Sequence, residues 1–196
     1  LKPCILELGG KDPMIVLNDA NIHRAVESAV FGGMSNAGQT CISTEEVFVE
    51  NEIFDEFLES LSAKIKSIKS GSTQNDQLGP IITPENKQKI NDHLNEIKNK
   101  SKVIYGMSGD HDNFIAPAIV VEPPENSKIV NEETFGPVIS VRSFKNEDDL
   151  INKIHKTGYG LSSSIFSNNK KRINRIISRL KFGNVNINDA MTSYII

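Results

Sequence analysis

Two short stretches carry residue types suited to covalent chemistry. In Leu6-Glu7-Leu8-Gly9-Gly10-Lys11, one acid interrupts an apolar run and a glycine pair follows. Glycines let a backbone approach a ligand closely. A carboxylate with leucine on both sides is expected to be partly desolvated, which raises its pKa toward that of a useful base. In Gly38-Gln39-Thr40-Cys41, a cysteine lies in a glycine-led loop after a helix, where a thiol can meet substrate. Each stretch also has an ordinary reading. A lone loop cysteine is commonly a bystander, and a single acid on an apolar strand is commonly a paired structural one. Gly9-Gly10-Lys11 is not a phosphate loop, because neither GxxxxGK[ST] nor GxGxxG occurs.

Taken together, the two stretches say more. Glu-Leu-Gly-Gly-Lys followed by Gly-Gln-Thr-Cys, with Glu7 and Cys41 34 positions apart (41 − 7), resembles the two signature motifs of the aldehyde dehydrogenase superfamily. A third stretch, Asn131-Glu132-Glu133-Thr134-Phe135-Gly136-Pro137-Val138, resembles that family's EExFGPV motif. The resemblance covers essentially the whole chain.

It implies that Cys41 is the nucleophile, its backbone N–H one oxyanion donor, and Glu7 the base that activates the hydrolytic water. It implies further that Glu133 holds the nicotinamide ribose hydroxyls, with Phe135 packing beside it and Leu8 and Gly9 also lining the cofactor. Phe135 has a plain alternative as a core aromatic. The cofactor would be NAD or NADP and the partner a small-molecule aldehyde, oxidised to a carboxylic acid.

The same resemblance implies that residues 1–196 form a single catalytic domain of a longer aldehyde dehydrogenase. Most of the cofactor-binding domain and the oligomerising segment would lie outside it, and the parent would be a homo-oligomer, dimer or tetramer. Met34, Ser43 and Glu46 depart mildly from the family pattern, Glu46 standing where many bacterial members carry Arg. Relatives that pass the thioester to CoA or phosphate usually lack the glutamate, so Glu7 argues for hydrolysis. A non-enzymatic reading, an isolated domain that folds without turning over, is distinguished by cofactor titration. The mixed residues 188–193 do not discriminate among aldehydes.

Positioning these residues calls for an α/β fold, a three-layer αβα domain with a largely parallel sheet. Apolar strands are expected at residues 14–17, 47–49, Lys102–Tyr105, 115–121, Val138–Phe144, 161–166 and Asn184–Ile187. Helices are expected over residues 20–35, then after Asn51 as cap, then after Thr83 with Pro84 at the first position. Two more follow, one after Asn146 and one over the basic run Lys170-Lys171-Arg172. Residues 70–82 read as a polar connection, and an irregular stretch runs from Pro123 to Pro137. Strands alternating with helices favour a parallel sheet.

Bulk properties narrow the remaining classes. A net charge of −3 gives no reason to expect nucleic acid, and the basic run reads as a solvated helix face. Two cysteines, Cys4 and Cys41, cannot build a disulfide framework. No apolar stretch reaches the ~20 residues of a membrane span, and a cytoplasmic location is expected. His23, His93, His111 and His155 are scattered, read as surface or capping residues, and suggest no metal site. Cys41 is expected to be the more reactive thiol, because Cys4 lies on the approach to an apolar strand.

Overall fold

Short apolar runs between caps and turns fold into strands here because helices cover both of their faces. The computed structural model describes residues 2–108 and 113–192. In chain order the elements are β1 Asp12–Val16, α1 Ile22–Met34, β2 Thr44–Glu50, α2 Phe54–Ser67, β3 Lys69–Ser70, α3 Pro84–Ile97, β4 Lys102–Tyr105 and β5 Met107–Ser108. They continue as β6 Ala118–Val121, α4 Lys128–Asn131, β7 Val138–Phe144, α5 Glu147–His155, β8 Ser162–Phe166, α6 Lys170–Ile177 and β9 Asn184–Ile187.

Among the described residues, seven strands form one sheet in the order β4-β6-β7-β2-β1-β8-β9. All neighbours are parallel except β4 and β6, which run antiparallel at one edge. Successive side chains on a strand face opposite ways, and the core divides accordingly. Met14, Val16, Val47 and Val49 meet α1, α2 and α3 through Ala25, Phe57, Leu61 and Ile90. Ile15, Phe48 and Ile165 meet α5 and α6 through Leu150, Ile154, Ile173 and Ile176. The result is the expected three-layer α/β arrangement.

Most caps are where the sequence places them. Thr83 Oγ1 accepts from the Asn86 N–H, with Pro84 opening the helix, and Asn146 accepts from the Asp149 N–H. Asn169, which the sequence reading did not name, caps the basic helix in the same way. Asn51 does not cap α2: a 3-10 turn over Asn51–Ile53 intervenes, and α2 starts from Ile53 without a side-chain cap. The polar connection contains β3, which pairs with β5 in a separate two-stranded sheet. The irregular stretch contains the single turn α4. No helix among the described residues is long and apolar enough to cross a membrane.

The amino-terminal segment departs from its expected form. Residues 2–9 adopt no strand and are exposed, and β1 begins only at Asp12. Apolar side chains alone do not make a strand; ladder partners do, and the sheet supplies them only from Asp12 onward.

Candidate active site

The loops carrying the three motifs gather at the amino-terminal ends of β1, β2 and β7. Lys11 immediately precedes β1, Cys41 lies three residues before β2, and residues 133–137 lead into β7. Asp12 and Thr44 are in register across the first two strands.

Cys41 occupies a turn closed by the Ser43 N–H donating to the Thr40 carbonyl at 2.9 Å. The turn is anchored from below, where Ser43 Oγ donates to the Gly32 carbonyl. Upstream, α1 ends in a tight reversal in which Asn36 and Ala37 both take left-handed backbone angles, φ 52° and 55°. Gly38 follows at φ 70°, and a Cβ there would overlap the Gly136 carbonyl. Main chain therefore packs directly on main chain between the cysteine loop and the Phe135-Gly136-Pro137 loop. Gln39 fixes the far side, donating to the Asn36 and Pro80 carbonyls and accepting from the Ile82 N–H.

The glycine pair is wedged between the other two motifs. The Gly10 N–H donates to Glu133 Oε1 at 2.9 Å. A Cβ on Gly10 would overlap the Cys41 carbonyl oxygen, and one on Gly9 would lie 2.8 Å from Glu133 Oε2. The structure thus brings Gly9, Gly10, Glu133 and the Cys41 peptide into one place.

Phe135, at φ 54°, is half-buried and is not a core aromatic. It lines a cavity of about 370 Å³ with Asn36, Ala37, Gln39, Gly79, Pro80 and Ile82. Asn86 holds its carbonyl by a 2.7 Å hydrogen bond.

The described geometry corrects three expectations. Glu7 is not desolvated by its neighbours: it is exposed, and so are Leu6 at 72% and Leu8 at 58%, because the segment has no partner strand. Cys4 is as exposed as Cys41, so burial gives no reason for a difference in their reactivity. His93 is no surface residue: it sits on the buried stripe of α3 with Ile90, Leu94 and Ile97, its Nδ1 3.2 Å from Thr134 Oγ1. Burial, and then the Lys11 cation, push its pKa below the usual histidine value. His111 and Ser193 lie outside the described residues.

The residues that hold the motifs together were not singled out by sequence. Lys11 Nζ donates to Glu45 Oε2 at 2.8 Å and to the Glu132 carbonyl at 2.9 Å. Glu45 also accepts from the N–H groups of Thr134 and Phe135 at 2.7–2.9 Å. One buried carboxylate, on the strand that follows the cysteine loop, thus ties the first and third motifs to each other. A fully buried charge needs a partner, and the unlike charges at Lys11 and Glu45, each beside a motif, were the available signal. Glu46, the family departure, is buried against Arg142, with Arg142 Nη1 at 3.3 Å. Burial pushes its carboxyl above the usual range.

Among the described residues, no group of three or more His, Cys, Asp or Glu side chains is placed to hold a metal.

The sequence model of the aldehyde dehydrogenase family matches residues 1–195. The chain belongs to this family. It is 33% identical over 98% of its length to the glutarate-semialdehyde dehydrogenase of Pseudomonas putida, covering 41% of that protein. It is 37% identical over 96% of its length to a salicylaldehyde dehydrogenase of Pseudomonas sp. strain C18, covering 40% of it. Among solved structures, the betaine aldehyde dehydrogenase of Staphylococcus aureus in complex with NAD+ superposes with a TM-score of 0.86 at 34% identity. That match covers 93% of this chain and 38% of the other. The chain therefore spans about two fifths of the length of these relatives.

Proposed function

We propose that this chain is the catalytic portion of an NAD(P)-dependent enzyme that oxidises an aldehyde to a carboxylic acid. The observation that carries the reading is Gly10, held between the Cys41 peptide and the Glu133 carboxylate. It supports a reading in which the cysteine loop, the segment that carries Glu7, and Glu133 serve one site.

In this reading the Cys41 thiolate attacks the aldehyde carbon; a C–S bond forms and the carbonyl electron pair moves onto oxygen. The Cys41 N–H donates to that oxygen. The residues suit a cofactor ribose: Glu133 spends Oε1 on Gly10 and keeps Oε2 as an acceptor for a hydroxyl, while Phe135 offers a half-buried ring. The chemistry supplied by bound NAD(P) is hydride acceptance, which leaves the acyl group on Cys41 as a thioester. Glu7 takes a proton from water, the water oxygen attacks the acyl carbon, and the thiol leaves as the carboxylic acid forms. Water must reach both groups, and both Glu7 and Cys41 are exposed. The names of the relatives favour semialdehydes or aromatic aldehydes as candidate substrates.

The test is made in the full-length parent. Cys41→Ala is expected to abolish aldehyde oxidation. Glu7→Gln is expected to give an early burst of NADH and then a steady rate reduced about 10²–10⁴-fold, the usual general-base contribution. A steady rate within about threefold of wild type, far below that range, would remove Glu7 as the hydrolytic base and favour transfer of the acyl group to an acceptor other than water.

A further inference from the structure

One buried acid beside the site has no part in the chemistry above. Asp12 opens β1 and is only 4% exposed. Its Oδ1 accepts from the Ser162 N–H of β8 at 3.1 Å, and no cation pairs with it among the described residues. The nearby Lys11 ammonium is committed to Glu45 and the Glu132 carbonyl. The position a Cβ of Gly10 would take lies 3.0 Å from Asp12 Oδ1, and the same position overlaps the Cys41 carbonyl oxygen. The Asp12 carboxyl and the Cys41 carbonyl thus crowd the same glycine, whose N–H is already given to Glu133.

The charged and titratable groups around Asp12 are mostly acceptors or anions. Glu45 faces it from β2, Glu133 from the loop before β7, Cys41 from its own loop, and Ser162 from β8. A proton on Asp12 removes one negative charge from this set and outweighs the backbone and side-chain hydrogen bonds by which Ser162 favours the carboxylate. Ionisation would leave a third carboxylate among oxygen atoms, at a cost that low-dielectric surroundings enlarge.

We propose that Asp12 is a positioning residue: protonated, it keeps the Gly9-Gly10 turn seated between the Cys41 peptide and Glu133, and on ionising it releases that turn. The proposal rests on the reading of Cys41 and Glu133 as site residues. Burial, reinforced by Glu45 and Glu133, pushes the Asp12 carboxyl up to about 8, so the release falls in an accessible range.

The experiment is amide hydrogen exchange at Gly10, followed by NMR in the purified chain from about pH 6 to about pH 10 and corrected for intrinsic exchange. Wild type should lose roughly tenfold of its Gly10 protection through a single titration. Asp12→Asn keeps the oxygen that accepts from Ser162 and supplies a donor that does not titrate, so its protection should stay level. Asp12→Ala should be weakly protected throughout. A level profile in wild type, the same loss in Asp12→Asn, or full protection in Asp12→Ala would each overturn the proposal. Iodoacetamide labelling of the same samples separates it from the functional reading. A Cys41 that reacts no faster than Cys4 counts against the nucleophile, whereas the exchange profiles judge Asp12 alone.

Discussion

Lys11 Nζ and Glu45 Oε2 lie 2.8 Å apart with both side chains almost wholly out of solvent, and the pair spans the same 34 positions that separate Glu7 from Cys41. The two proposed catalytic residues are exposed, whereas this pair, four positions beyond each of them in sequence, is buried. Glu45 is satisfied on both oxygens by Lys11 and by two backbone N–H groups, the condition under which an interior ion pair holds geometry rather than straining it.

Removing one partner should therefore be costly. Lys11→Met is expected to destabilise the fold by about 3–5 kcal/mol, as for a buried charge left alone. Lys11→Met with Glu45→Leu should recover only part of this loss, because the Thr134 and Phe135 N–H groups then lack their acceptor at about 1–3 kcal/mol each. Urea unfolding of both variants decides it. Full recovery in the double variant would mean that Glu45 does not organise the loop before β7.

How far these relationships could be read in advance depends on their range. The caps at Thr83 and Asn146 rest on neighbours within a few residues, and the sequence displays such neighbours directly. Glu45 binds groups 34, 89 and 90 positions away, and no local pattern points to them. Residues 5–8 show the opposite failure. Their apolar character suggested a buried strand around Glu7, yet a strand is defined by partners across the ladder, and these residues lack them. His93 was readable in principle, since it follows Ile90 by three positions on a helix whose buried face continues through Leu94 and Ile97.

Adding a methyl group to each glycine should separate two roles. Gly10→Ala drives Cβ into the Cys41 carbonyl, a backbone atom that moves only with its loop. It should lower kcat in the full-length parent by about tenfold or more, since small misplacements of a reacting group carry costs of this order. Gly9→Ala meets the end of the Glu133 side chain, which can swing away. Its main effect should be a higher KM for the cofactor with kcat nearly retained. Steady-state kinetics on both variants test the split, and a reversed pattern would reassign the two glycines.

Asp12 should also leave a mark on stability. Its folded pKa, about 8, lies above the ordinary carboxylate value, so the folded state keeps a proton that the unfolded chain has released. Its contribution is therefore fully favourable below about pH 4 and is lost as pH rises toward 8, at a slope of about 1.4 kcal/mol per pH unit. Asp12→Asn removes this slope. The stability of the variant relative to wild type should grow from pH 4 to pH 8 and then level off, as read by urea midpoints across pH. A difference that does not change with pH would show that Asp12 is ionised in the folded chain.

The two exposed thiols offer a direct comparison. Cys41, in a turn closed by the Ser43 N–H on the Thr40 carbonyl, is expected to be alkylated by iodoacetamide faster than Cys4, although burial does not distinguish them. Peptide mapping of the partly labelled chain gives the ratio. Equal rates would leave the cysteine loop without any activating influence of its own.

The contact of Gly38 with Gly136, and of Gly10 with the Cys41 carbonyl, is made almost entirely of main chain. A junction of that kind is indifferent to which side chains stand around it, so the placement of the thiol can be inherited while its neighbours drift. Thr40 and Ile42 flank the cysteine, and under the proposed reading exchanging them would alter what a substrate touches while the Gln39 hydrogen bonds still hold the loop. Relatives sharing about a third of their residues with this chain carry names for a straight-chain semialdehyde, an aromatic aldehyde and a quaternary-ammonium aldehyde. The loop architecture is thus a starting point for directed selection: libraries confined to those two positions would explore new substrates on a scaffold whose main-chain junctions they leave intact.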